Sequence, residues 1–208
     1  IYPIVDENWQ LQPQVQQQVL QSLDEVNQQA EQEVHLSIDL GGYLVFGGNK
    51  KGLKALENKL PMVQDRYPMN LFNHAAFHTP LLNNIATKAQ SLLSSSIFEA
   101  PKLPLIDGRG KIWQPLTTQA QALYDYTLSM QVTEPYNFSR AIEVAIKEFS
   151  PDKLIILGPG STLGGSVAQC LIKHQWLGLN NKADFIQQQK VDPFLLAMGL
   201  LEQKKQVL

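Results

Sequence analysis

The chain has 208 residues, 44% of them hydrophobic, with a net charge of −2. That length holds one ordinary domain, or a domain with a small subdomain, around a real core. No basic face marks a nucleic-acid partner, no apolar run nears the ~20 residues of a membrane span, and no charged-then-apolar opening marks a signal peptide. The single cysteine, Cys170, rules out an internal disulfide framework and fits a reducing, cytoplasmic compartment.

Ile1–Asp6 reads as a short edge strand that tolerates Pro3. Pro13 opens a helix whose apolar stripe is Val15, Val19, Leu23, Val26 and Ala30, backed by a glutamine-rich solvated face. Val34–Ile38 and Tyr43–Phe46 flank the Gly41-Gly42 turn signal and predict a hairpin. Asn49 caps a helix through Leu53, Leu56 and Leu60, and Pro61 stops it. Tyr67–Phe72 reads as a fourth strand. The order βαββαβ is the ferredoxin-like plan, predicted over residues 1–72.

Residues 73–208 change pattern. His78 sits where a strand-like run gives way to a helix start, with Thr79 as N-cap and Pro80 as first helical residue. The positive end of that helix favours a neutral imidazole, a sensible general base. The plain alternative is a junction histidine satisfied locally. A helix follows with Leu82, Ile85, Ala89 and Leu92 on one side, then short strands at Leu105-Ile106 and Ile112-Trp113 around the Asp107–Gly110 turn. Helices are predicted after Thr118 and over Phe138–Phe149. Leu154–Leu157 reads as a strand buried on both faces. Gly158-Pro159-Gly160 turns it into a helix carrying Val167, Cys170 and Leu171, with Cys170 a core thiol. A last helix is predicted over Pro193–Glu202. Strands alternating with helices make this half α/β.

Four stretches, in order through residues 1–175, carry a family resemblance. Phe77-His78-Thr79-Pro80-Leu81 resembles the active-site histidine segment of the malonyl-CoA:acyl carrier protein acyltransferases. Trp113-Gln114-Pro115, Gln131-Val-Thr-Glu-Pro135 and Leu157-Gly-Pro-Gly160 with Leu163 are similar to later elements of that family. The resemblance implies a ferredoxin-like subdomain joined to the later part of an α/β-hydrolase-like core. It implies transfer of a malonyl group from coenzyme A to the thiol of an acyl carrier protein through an acyl-serine. Malonyl-CoA and the carrier protein are then the partners, with the coenzyme A thioester as substrate and no further cofactor. His78 matches the base, and Gln131 the residue whose main-chain carbonyl orients it. Phe77 matches a position that goes with malonyl selection in polyketide relatives, because the ring fills the space an α-substituent needs. A methyl group there discriminates by about 1–3 kcal/mol. A buried core aromatic is the competing reading of Phe77.

The departures are as specific. The chain holds no Gly-x-Ser-x-Gly nucleophile elbow. Ser166, the nearest approximation, lies inside a predicted helix and is rejected. Arg66, Arg109 and Arg140 do not sit at the family's carboxylate-binding position, and Asp39-Leu-Gly-Gly42 replaces an Asn-x-Pro-Gly loop. A base without a nucleophile has no covalent route alone. The chain starts at Ile1, so the expectation is a processed or truncated piece of an enzyme. A non-catalytic remnant that binds a carrier protein is the alternative. A nucleotide-binding α/β protein built on Gly158-Pro-Gly160 is weaker, since the third glycine and the P-loop lysine are missing. His35, His74, His78 and His174 lack ligand spacing, so no metal site is expected.

Overall fold

The computed structural model describes residues 1–207. Its architecture is mixed α/β. A small four-stranded sheet with two helices leads into helices arranged about two two-stranded sheets.

The first unit begins with β1 (Tyr2–Pro3), α1 (Pro13–Asn27), β2 (Val34–Leu40), β3 (Tyr43–Gly48) and α2 (Lys50–Lys59). Pro13 starts α1, where its missing N–H costs nothing. Val19, Leu23 and Val26 are buried against Tyr2, Leu44 and Leu56 in one core. Ala30 leaves the predicted stripe and is exposed. The Asn27 side chain ends the helix by exchanging two hydrogen bonds with the Val34 backbone, 2.7 and 2.8 Å, which starts β2. Asn49 caps α2 as expected, accepting from the Gly52 N–H at 2.8 Å.

The predicted fourth strand, Tyr67–Phe72, does not form. Its surviving ladder is one reciprocal backbone pair, Ile1 to Met69, at 2.9 and 3.1 Å. Leu71 and Phe72 then turn out to solvent, and Pro68 cannot donate to a ladder. The fourth strand of the sheet comes from later in the chain. β6 (Tyr136–Asn137) lies parallel to β2 through Ile38↔Tyr136 and Asp39↔Asn137. On the opposite side β1 reaches only Tyr43 and Leu44. Beyond it, Val45–Gly48 line a groove of about 350 Å³ shared with Met69, Leu53 and Leu56.

The second unit holds α3 (Asn83–Leu92), β4 (Leu105–Ile106), β5 (Ile112–Trp113), α4 (Ala120–Asp125), a π turn over Tyr126–Met130, α5 (Gln131–Thr133), β6 (Tyr136–Asn137) and α6 (Phe138–Phe149). It continues with β7 (Leu154–Ile156), α7 (Leu163–Lys173), α8 (Lys182–Val191), β8 (Leu195–Ala197) and α9 (Leu201–Lys204). β7 pairs with β8 in parallel. The helix predicted over Pro193–Glu202 is therefore a strand followed by a short helix. Tertiary pairing decides it: Phe194–Ala197 are all buried, and the Gln189 amide grips the Leu195 backbone on both its groups at 2.7 and 3.0 Å.

The expectation that Leu154–Leu157 is covered on both faces is also corrected. Leu154 and Ile156 pack on the cluster of Ile146, Val167, Leu171 and Leu195, whereas Ile155 is 45% and Leu157 83% exposed. Ile85 and Leu92 of α3, expected on its apolar face, are exposed as well, and Ala86 takes the buried position. Open apolar surface of this kind drives association. The chain is expected to self-associate with rising concentration in sedimentation velocity, and lysines at Ile155 and Leu157 to weaken that. A monomer at every concentration would refute the expectation.

A buried polar joint holds the two units together. The Gly41 N–H donates to Ser139 Oγ at 3.0 Å and the Gly42 N–H to Gln169 Oε1 at 2.8 Å. Ser139 Oγ in turn donates to Asp39. Gly41 has φ +67°, and a Cβ there would collide with the Ser166 carbonyl. The Asp39–Gly42 loop is thus a structural contact with α7.

Candidate functional site

His78 is placed by bonds from two directions. Ser37 is the extra residue of a β-bulge, since β2 and β3 shift register between Leu36 and Ile38. The bulge re-aims its side chain, and the buried Ser37 Oγ–H donates to the Phe77 carbonyl at 2.8 Å. From the other side, the His78 N–H donates to the Val132 carbonyl at 2.8 Å. His78 Nδ1 lies 2.5 Å from the Gln131 carbonyl oxygen. A carbonyl only accepts, so Nδ1 carries the hydrogen, and in the neutral ring Nε2 is the nitrogen with the lone pair. His78 is half-buried, and its ring packs against Tyr136 at 5.2 Å between centroids.

Two backbone features serve this geometry. His78 has φ +61°, a left-handed conformation that costs a non-glycine residue about 1–2 kcal/mol, and the flanking bonds hold it there. The predicted cap at Thr79 is absent. Thr79 is fully buried, and its hydroxyl donates to the Ala76 carbonyl at 2.6 Å. A 3₁₀ turn over Pro80–Leu82 separates His78 from α3. The imidazole therefore does not face the open N-terminus of α3. It faces carbonyls at the end of the helical run Ala120–Thr133, the negative end of that dipole.

The support behind that run comes from the Asp107–Gly110 turn. Asp107 accepts from the Arg109 and Lys111 N–H groups at 2.9 and 3.0 Å and from Trp113 Nε1 at 3.1 Å. Burial alone would raise its carboxyl, but the Arg109 side chain and these amides outweigh that and hold it below the usual carboxylate range. The Gly108 N–H donates to the Tyr126 hydroxyl at 3.0 Å, inside the π turn. Gly108 also packs on the Tyr136 ring.

The residues singled out from sequence fall into three groups. His78 and Gln131 are brought together directly. Phe77 is adjacent, its ring 6.4 Å from the imidazole, and at 52% exposure it is not a core aromatic. The rest lie elsewhere. Ser166 is buried in α7. Burial pushes the Cys170 thiol up to about 11, so it is no thiolate nucleophile. Arg109 pairs with Asp107 at 2.7 Å and Arg140 with Glu143 at 2.8 Å. The Gly158–Gly160 loop closes β7 against the Gly199 backbone. Among the described residues, no group of three or more His, Cys, Asp or Glu is placed to hold a metal ion. Likewise, no helix there is long and apolar enough to cross a membrane. Ser37, Val132 and Tyr136 were not anticipated. Their contacts are long-range, and the alternation of Val34, Leu36 and Ile38 puts Ser37 on the polar face, so only the bulge turns it inward.

No protein-family model matches the sequence, and no curated protein matches it. Solved structures do. The malonyl-CoA:acyl carrier protein transacylase of Xanthomonas oryzae pv. oryzae superposes with a TM-score of 0.67 at 17% identity, over 91% of this chain and 52% of that one. The malonyl-CoA:ACP transacylase of Synechocystis sp. PCC 6803 gives 0.66 at 17% identity, over 99% and 56%. A malonyl-transacylase solved in complex with its type II PKS acyl-carrier protein gives 0.61 at 20% identity, over 76% and 49%. The chain has the fold of these acyltransferases and spans about half the length of each.

Proposed function

We propose that this chain supplies the general base of an acyl transfer from a coenzyme A thioester to the phosphopantetheine thiol of an acyl carrier protein, with malonyl as the acyl group. The observation that carries the reading is the 2.5 Å contact between His78 Nδ1 and the Gln131 carbonyl. It leaves Nε2 as the only ring nitrogen able to accept a proton. The acyltransferase fold, and a neighbour of that fold solved with a carrier protein, support the same reading.

In the proposed reaction His78 Nε2 takes the proton of a serine hydroxyl as its oxygen attacks the thioester carbonyl. The carbon–sulfur bond then breaks and the coenzyme A sulfur leaves as the thiol, taking that proton back from the imidazolium. The carrier thiol repeats the sequence on the acyl-serine: His78 removes its proton, and the serine oxygen recovers it. The imidazolium formed in each half faces the Gln131 and Val132 carbonyls, a helix-end arrangement worth about 0.3–2 kcal/mol. Phe77 beside the ring narrows the space next to the acyl α-carbon.

The 208 residues contain no Gly-x-Ser-x-Gly, so in this reading the serine lies outside them. Incubated alone with malonyl-CoA, the chain is expected to gain no acyl mass by intact mass spectrometry. A stoichiometric adduct would show that it holds its own nucleophile and overturn this assignment.

A further inference from the structure

We infer that Pro135 is a positioning residue, whose missing N–H keeps the Gln131 carbonyl free for His78. The inference rests on the reading of His78 as the base. In a helix each carbonyl accepts from the N–H four residues on. At the end of the helical run the Met130 carbonyl follows that rule and accepts from the Glu134 N–H at 2.8 Å. The next carbonyl, Gln131, would accept from residue 135, and proline has no hydrogen to give. The one after it, Val132, would accept from Tyr136, but Tyr136 has already entered β6. Two consecutive carbonyls are thus left unclaimed by the helix, and His78 takes both, one with Nδ1–H and one with its backbone N–H.

Proline also explains why the run stops where it does. It disfavours the helical region for the residue before it, and Glu134 is extended at φ −117°, ψ 152°. With alanine at 135 that restriction on Glu134 is lifted, so the helix can continue through it and bring a competing N–H to the oxygen His78 uses. The imidazole would then lose the bond that selects its tautomer, with no atom of the ring or of Gln131 changed.

The test compares Pro135→Ala with an ester analogue at the same position, in which the alanine amide N–H is replaced by oxygen. Like proline, the ester lacks the donor, but it also lacks the ring. Long-range ¹H–¹⁵N spectra of the histidine-labelled chain read the tautomer without any turnover. The native chain should show His78 as Nδ1–H. The alanine variant should show mixed or inverted tautomers with unchanged circular dichroism, and the ester analogue should regain the native pattern. In a polypeptide that also carries the serine, kcat of the alanine variant should fall tenfold or more at unchanged KM, bounded by the ~10⁴-fold cost of a wrong tautomer in a Ser-His-Asp triad.

A native tautomer pattern in the alanine variant would overturn the inference. So would an ester analogue that behaves like alanine, since the ring rather than the absent donor would then be at work. If the alanine variant fails to fold, the ester analogue alone decides. A tautomer shift in a protein whose acyl transfer ignores His78 would leave Pro135 as assigned and remove the base instead.

Discussion

Replacing His78 with alanine is expected to lower acyl transfer by about 10²–10⁴-fold in a polypeptide that also carries the nucleophile serine, the range a positioned general base contributes. Without Nε2 the proton acceptor held at the Gln131 carbonyl is gone; His74, whose Nδ1 faces the Phe72 carbonyl at 2.8 Å, is exposed in the preceding loop, and His35 pairs with Glu33. Stability should change by no more than about 1–2 kcal/mol, because the ring is half-buried and water can replace it at the Gln131 carbonyl. The measurement is the rate of malonyl loading onto a carrier thiol beside a thermal melt. Turnover within threefold of the parent protein would remove His78 from the chemistry.

The largest effect on stability should come from Gly41→Ala. Gly41 sits at φ +67°, which costs an alanine about 1–2 kcal/mol. Its Cβ would enter the space of the Ser166 carbonyl on α7, and overpacking of that kind adds about 1–3 kcal/mol. The turn cannot move away without loosening the bonds from Gly41 to Ser139 and from Gly42 to Gln169. The sum, about 2–5 kcal/mol, corresponds to a fall in Tm of roughly 5–15 °C for a chain this size. An unchanged melt would mean that the contact with α7 is slack.

Local chemistry made most elements legible. Pro13 and Asn49 act within one turn of where they stand, and the stripe of α1 records its buried face. The imidazole and its orienting carbonyl were also readable, but through likeness to a family. Nothing near residue 78 points to residue 131, because main-chain carbonyls leave no mark in a side-chain alphabet. Pro135 was the exception, a donor deficit visible in sequence whose meaning needed the fold. The failures share one cause. Tyr67–Phe72 and Phe194–Ala197 are apolar stretches whose state is chosen by the partner on offer: the first finds a single backbone pair at Ile1, and the second finds β7. The faces of Leu154–Leu157 depend in the same way on what lies across the sheet.

The parallel pairing of Tyr136–Asn137 with β2 has a mechanical consequence. Ser37, which grips the backbone on one side of the imidazole, belongs to β2. The turn that grips the other side leads straight into the strand beside it. Both jaws of the clamp are therefore mounted on one rigid plate. If that plate shifts against its surroundings, the imidazole moves with it, and the ring's aim within the clamp is preserved.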